Sequence, residues 1–246
     1  MIKKLTAAVA LTIFLSACAS NKAPIRQGSL SGSGSIAPIP DASGPRIDAN
    51  VQRLYPNRKL FVCDGTRVSN KPPTDGNNEV VKYSRLIVVD GPGGNVPLVM
   101  APANNACVTS GFGMRKLGND PARMHNGIDI FSRPASRVFS GGSGTILEAG
   151  MNSGYGLSVL IDHGYGVYTR YAHLDYIEDD IKVGARLVYG HPIGRMGRSG
   201  QVTGIHLHYE ILTGTYKAGV WGRGLKPRDP FSFPEWVDPR LAMLDQ

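Results

Sequence analysis

The chain holds six histidines, and two of them, His206 and His208, stand one residue apart in the apolar run TGIHLHYEI. Successive side chains of a β-strand point to opposite faces, so both imidazoles would share one face and Leu207 the other. Two imidazoles side by side in such a run are either costly or half of a metal site. Two more segments carry histidines in strand-like surroundings. In MHNGIDI, His125 and Asp129 project to one face if the backbone from Gly127 is extended, and Gly127 lets the backbone approach closely. In YAHLD, His173 closes a strand pattern. Catalytic zinc sites take three protein ligands from His, Asp or Glu and keep a position for water. His125, Asp129 and one histidine of the 206/208 pair make such a set. The two remaining imidazoles suit proton transfer beside an acidified water. His163 and His191 lie next to glycine turns and read as structural residues.

Positioning such a set requires strands. From Ala106 onward the runs RVFSGGSGTILEAG, GLSVLIDHG, GVYTRYAHL, RLVYGHPIGRMG and IHLHYEIL follow one another between Gly-rich turns. Several alternate apolar and polar residues, and none shows a sustained apolar stripe with a 3.6-residue period. The fold class expected is mainly β, a folded antiparallel β-sheet core with Gly-rich turns. Residues 51–105 contain short β-prone runs (KLFVCDG, SRLIVVDG) broken by NKPPTDGNN and GPGGN, which predicts an irregular, partly β N-terminal extension packed on the core. The domain expected to carry the chemistry spans 106–235, with a tail over 236–246. The run Gly222–Arg228 reads as an added loop, either in solvent, the preferred reading, or shaping a groove at the site.

The first residues have the form of a leader. A basic MIKK is followed by an apolar stretch from Leu5 to Leu15, too short for a membrane span of about 20 residues. LSAC then resembles a bacterial lipobox, which implies a signal peptide over 1–17, a lipidated (palmitate-bearing) Cys18 and attachment to a membrane. Ala19 after the cysteine resembles the outer-membrane type, so the expected location is the cell envelope, at the periplasmic face of the outer membrane. Residues 18–50, rich in Ser, Gly, Pro and Ala, read as a flexible tether. With Cys18 acylated, Cys63 and Cys107 are left in an oxidising compartment, as a disulfide or as two buried thiols; the compartment favours the disulfide. The formal charge of +8 suits attraction to anionic lipid or cell-wall polymer, and no nucleic-acid motif accompanies it.

Together GFGMR, MHNGIDI, YAHLD and HLHYE resemble the lysostaphin-like, LytM-type zinc metallopeptidases that cut peptidoglycan, over about Val108 to Pro230. Gly154-Tyr155-Gly156 and Arg228-Asp229-Pro230 resemble turns and the closing segment of that family. By position, the resemblance implies His125, Asp129 and His208 as ligands of one Zn2+, and His206 as general base and later proton donor. It implies His173 as the histidine that orients water or stabilises the oxyanion. The implied reaction is hydrolysis of amide bonds in peptidoglycan cross-links, with D,D-endopeptidase activity expected. Two other outcomes stay open: a LytM-type regulator that binds and activates a cell-wall amidase, or an enzyme restrained by residues 51–105 through the amide of Asn104 or Asn105.

Overall fold

The computed structural model describes residues 53–237 except 65–67, 117 and 120; the expected leader, Cys18, the tether up to residue 50 and the chain end from 238 lie outside the described residues. A hairpin comes first, β1 (Leu86–Gly91) and β2 (Gly94–Val99), turning at Pro92-Gly93. Then follow β3 (Cys107–Ser110), the short hairpin β4 (Gly113–Arg115) and β5 (Arg123–His125), and β6 (Ile128–Phe131). The middle of the chain forms β7 (Arg137–Phe139), β8 (Gly144–Asn152), β9 (Gly156–Asp162) and β10 (Val167–Ala172). The last third forms β11 (Leu174–Ile177), β12 (Arg186–Leu187), β13 (Pro192–Met196), β14 (Leu207–Gly214) and β15 (Leu225–Arg228). Helix among the described residues is confined to two 3-10 turns, Trp221–Gly224 and Pro230–Ser232, and none is long and apolar enough to cross a membrane.

The principal sheet runs β12-β8-β9-β10-β14-β6-β3, with β15 also paired to β14. Every strand pair is antiparallel. A second sheet, β11-β13-β7, shares a buried apolar cluster with it. Between them lies the core: Ile128 and Ile130 of β6, Leu207, Tyr209 and Ile211 of β14, and Val138, Ile193 and Met196 of the second sheet are all buried. Alternation therefore hands the opposite face of β14 to His208, Glu210 and Leu212, and the opposite face of β6 to Asp129. Register completes the arrangement, because His208 pairs with Asp129 on one side and with Ala172, the neighbour of His173, on the other.

One segment differs from the sequence reading. The extension is as expected, irregular but partly β and packed on the core: β1 and β2 pair over six positions, and Leu60, Val62, Ile87, Val89 and Leu98 join the same core as β6 and β14. The run Gly222–Arg228 is no solvent loop. Its second half is β15, whose Leu225 packs with Tyr216 and Leu147 against Leu160, Tyr168 and Leu212. Burial of Leu212, on the face that elsewhere carries histidine, needed a cover, and the returning chain supplies it.

Candidate metal centre

His125 ends β5, Asp129 lies in β6 and His208 in β14. Gly127 makes the turn between the first two possible: a Cβ there would stand 2.2 Å from the carbonyl oxygen of Tyr209, so no other residue fits without displacing β14. His125 Nε2, Asp129 Oδ1 and His208 Nδ1 form a triangle with sides of 3.0, 2.9 and 3.0 Å. All three side chains are buried.

The outer atoms of the same groups fix which atoms face inward. His125 Nδ1 lies 2.6 Å from the carbonyl oxygen of Gly111, which can only accept, so the ring donates there and Nε2 keeps its lone pair. His208 Nε2 lies 3.1 Å from Glu210 Oε1 and donates to it, leaving Nδ1 for the triangle. Asp129 Oδ2 accepts from Arg115 Nη1 at 3.0 Å, leaving Oδ1 inward. Three acceptors thus face one another in a buried place, which is stable only with a cation or a proton among them. Without a metal, the proton goes to His208: burial alone would push its pKa down, but the hydrogen bonds to Asp129 and Glu210 outweigh that and hold it up to about 9. Burial likewise disfavours the Asp129 carboxylate, and the neighbouring imidazoles of His125 and His208, with the proton on His208, overcome it and hold the group well below the usual range. Among the described residues this His–Asp–His set is a group able to hold a metal ion, and its donors suit zinc.

His206 and His173 stand beside the triangle. His206 Nε2 is 3.6 Å from Asp129 Oδ1, while its Nδ1 donates to the carbonyl of Gly204 at 3.0 Å. His173 Nδ1 donates to the carbonyl of Ser199 at 2.9 Å, and its ring centroid lies 4.9 Å from that of His206. Its backbone is left-handed, with φ of 61°, an uncommon conformation for a residue other than glycine. It is held by its N–H to the carbonyl of Tyr155 and by Ser199, whose hydroxyl bridges Leu157 N and Leu174 O. Both rings have lowered pKa values. For His173 burial and the neighbouring His206 push it to about 4, and for His206 burial outweighs the raising effect of Asp129. Both are therefore neutral at neutral pH, each with its Nε2 lone pair free of the bonds just described.

These five side chains line a cleft of about 880 Å³ whose walls include Ser69, Met124, Tyr155, Gln201 and Ile205. Asn104 and Asn105 are not among its lining residues. Asn104 spends its amide on the extension, accepting from Tyr55 N at 2.7 Å and donating to Arg53 O at 2.7 Å. The expected restraint of the metal by either amide is thereby corrected, because neither side chain reaches the cleft.

Glu210 was missed by sequence reading as a functional residue, although alternation from His208 puts it on the same face. It is fully buried beneath His208, where Tyr155 Oη donates to it at 2.7 Å and Arg170 Nη1 at 3.0 Å. Arg115 lies in the GFGMR motif, but its role had no local signal, since the partner that gives it meaning is fourteen residues away. Cys63 and Cys107 form a disulfide, with Cα atoms 5.0 Å apart. The remaining histidines lie outside the cleft, His163 bonded to Ser143 and Thr169 and His191 to Asp180.

Residues 123–219 match the model of Peptidase family M23. The chain is 36% identical to the peptidoglycan DD-endopeptidase ShyA of Vibrio cholerae over 107 residues, 43% of this chain and 24% of that protein. Over 88 residues it is 39% identical to the DD-carboxypeptidase/endopeptidase Mpg of Neisseria meningitidis, covering 36% of this chain and 20% of that one. The match thus spans about a quarter or less of the length of these two curated relatives. Among solved structures, the lysostaphin catalytic domain from Staphylococcus simulans superposes with a TM-score of 0.44 at 28% identity, over 52% of this chain and 92% of that one.

Proposed function

We propose that the chain is a zinc-dependent endopeptidase that hydrolyses amide bonds in peptidoglycan cross-links, with the D,D bond as its target. The observation that carries this reading is the triangle of His125 Nε2, Asp129 Oδ1 and His208 Nδ1, each turned inward by a partner on its outer side. These three residues would hold the ion. When bound, zinc supplies a Lewis acid that polarises a carbonyl and brings the pKa of water towards about 7. The substrate class rests on the match to family M23 and on relatives named peptidoglycan DD-endopeptidases.

The chain's own groups divide the remaining work. His206 is neutral, its Nδ1 proton is committed to Gly204, and its Nε2 borders the triangle, so it takes a proton from the attacking water and later gives it to the departing amine. His173, with Nδ1 committed to Ser199, offers only a lone pair at Nε2 while neutral. In that state it accepts a hydrogen bond from water and orients it; it becomes a donor to an oxyanion only after protonation. The open cleft admits an extended peptide. The Cys18 lipid anchor and an outer-membrane location remain part of the proposal, resting on the leader-like residues alone.

Digestion of purified cross-linked peptidoglycan, followed by mass spectrometry of the products, tests it. New peptide termini are expected that vanish with a chelator and in His208→Ala. Unchanged muropeptides from zinc-loaded protein would overturn the enzyme reading and leave amidase activation as the one to test.

A further inference from the structure

The outer partners of two proposed ligands both lead to one short stretch of the N-terminal extension. Gly111, whose carbonyl orients His125, gives its own N–H to the carbonyl of Ser69 at 2.9 Å. Ser110, next in the chain, donates its hydroxyl to the same carbonyl at 3.2 Å and accepts from Arg115 Nη1 at 2.5 Å. That same Arg115 nitrogen binds Asp129 Oδ2. Asn70 then donates its side-chain amide to the carbonyl of Phe112 at 3.2 Å. Residues 110–112 are thus gripped by Ser69 and Asn70, contact His125 directly through the Gly111 carbonyl and reach Asp129 through Arg115, which Ser110 holds. The fit is close: a Cβ on Gly111 would lie 1.9 Å from the carbonyl oxygen of Asn70.

The stretch is itself anchored. Upstream of it, Cys63 is bonded to Cys107, and Cys63 N and Phe61 O make ladder bonds to Val108. Asn70 has a φ of 49°, a left-handed conformation that asparagine tolerates and a β-branched residue does not. None of these residues falls in the 123–219 segment that matches the family model.

We propose that Ser69–Asn70 is a positioning element of the metal centre, so that metal affinity in the peptidase half depends on the docked extension. The inference rests on the zinc reading above. It differs from a merely structural role for the extension, in which undocking would lower stability and leave the affinity of the folded protein unchanged.

The test uses the full chain and two readouts. Zinc affinity is measured by competition with a chromogenic chelator, and docking by hydrogen exchange in peptides covering 61–71 and 107–112. Asn70→Val should speed exchange in both peptides and weaken zinc binding about 10-fold, the lower end of what loss of an outer-shell partner costs. The absorption bands of the Co2+-loaded protein should shift as the ligands lose their fixed orientation. Asn70→Gly, which keeps the backbone conformation, should bind zinc much more nearly as the wild type does. If Asn70→Val fails to fold, the Cys63→Ala/Cys107→Ala pair offers a second route to faster exchange with the core intact. Faster exchange with unchanged zinc affinity in either variant overturns the proposal and leaves the peptidase reading standing; a wild-type chain that binds no zinc overturns both.

Discussion

Glu210 Oε1 sits 3.1 Å from His208 Nε2, on the nitrogen opposite the one that meets Asp129, and no part of Glu210 is exposed to solvent. A carboxylate there fixes the tautomer of the ring and raises the basicity of Nδ1. Glu210→Gln should lower zinc affinity by about 10- to 100-fold, as removal of such outer partners does. It also leaves Arg170 without its buried counter-ion, so a loss of roughly 1–3 kcal/mol in stability is expected alongside. A Glu210→Gln/Arg170→Met variant separates the effects: it should recover much of the stability and none of the affinity, measured by denaturation and chelator competition.

The division of labour between the paired histidines can be tested in the same way. His208→Ala should cost more zinc affinity than any outer-shell change, over about 100-fold. His206→Ala should lower kcat by about 10²–10⁴, the usual worth of a general base, and leave metal binding nearly unchanged. Equal metal loss from both substitutions would mean that His206 is a ligand and not the base.

Removing the metal should be visible in stability as well as activity. An ion that binds only the folded chain stabilises it by about 2.7 kcal/mol at a free concentration 100 times Kd. Tm should therefore rise with free zinc and fall on chelation, and His208→Ala should abolish that dependence.

The fourth expectation concerns pH. His163 donates Nδ1–H to the carbonyl of Ser143 at 2.8 Å and has Thr169 Oγ1 2.7 Å from Nε2. Burial, only partly offset by the bond to Ser143 and the charge of Asp162, pushes its pKa down to about 4 from 6.5. The unfolded chain therefore takes up a proton first as pH falls. The stability that His163 contributes is complete above about pH 6.5, declines between 6.5 and 4, and is lost below. The full loss should be on the order of 3 kcal/mol. Urea denaturation of the chelated protein at pH 7.5 and 4.5 should show a smaller decline for His163→Gln than for wild type.

How far the sequence reveals this molecule depends on the kind of contact involved. Strand alternation is enough to place His206 and His208 on one face, and the same rule reaches Glu210 two residues on. The pairing of His208 with Asp129 is a matter of register between strands 79 residues apart, which spacing does not encode. The role of the extension is less legible still. Ser69 acts through its backbone carbonyl, and a carbonyl belongs to every residue type. The run Gly222–Arg228 misleads because its glycines mark the 3-10 turn before β15, while the apolar partner that recruits the strand, Leu212, lies upstream in β14.

The pairing of His208 with Asp129 across β14 and β6 has a consequence for folding. A slip of one residue between these strands would turn Leu207 or Tyr209 towards the cleft and bury the imidazole in the core. An ion that needs all three donors at once is bound by the native alignment and by no neighbouring one. Metal uptake during refolding therefore reports strand alignment, and free zinc should deplete misregistered species by binding only the correctly paired chain.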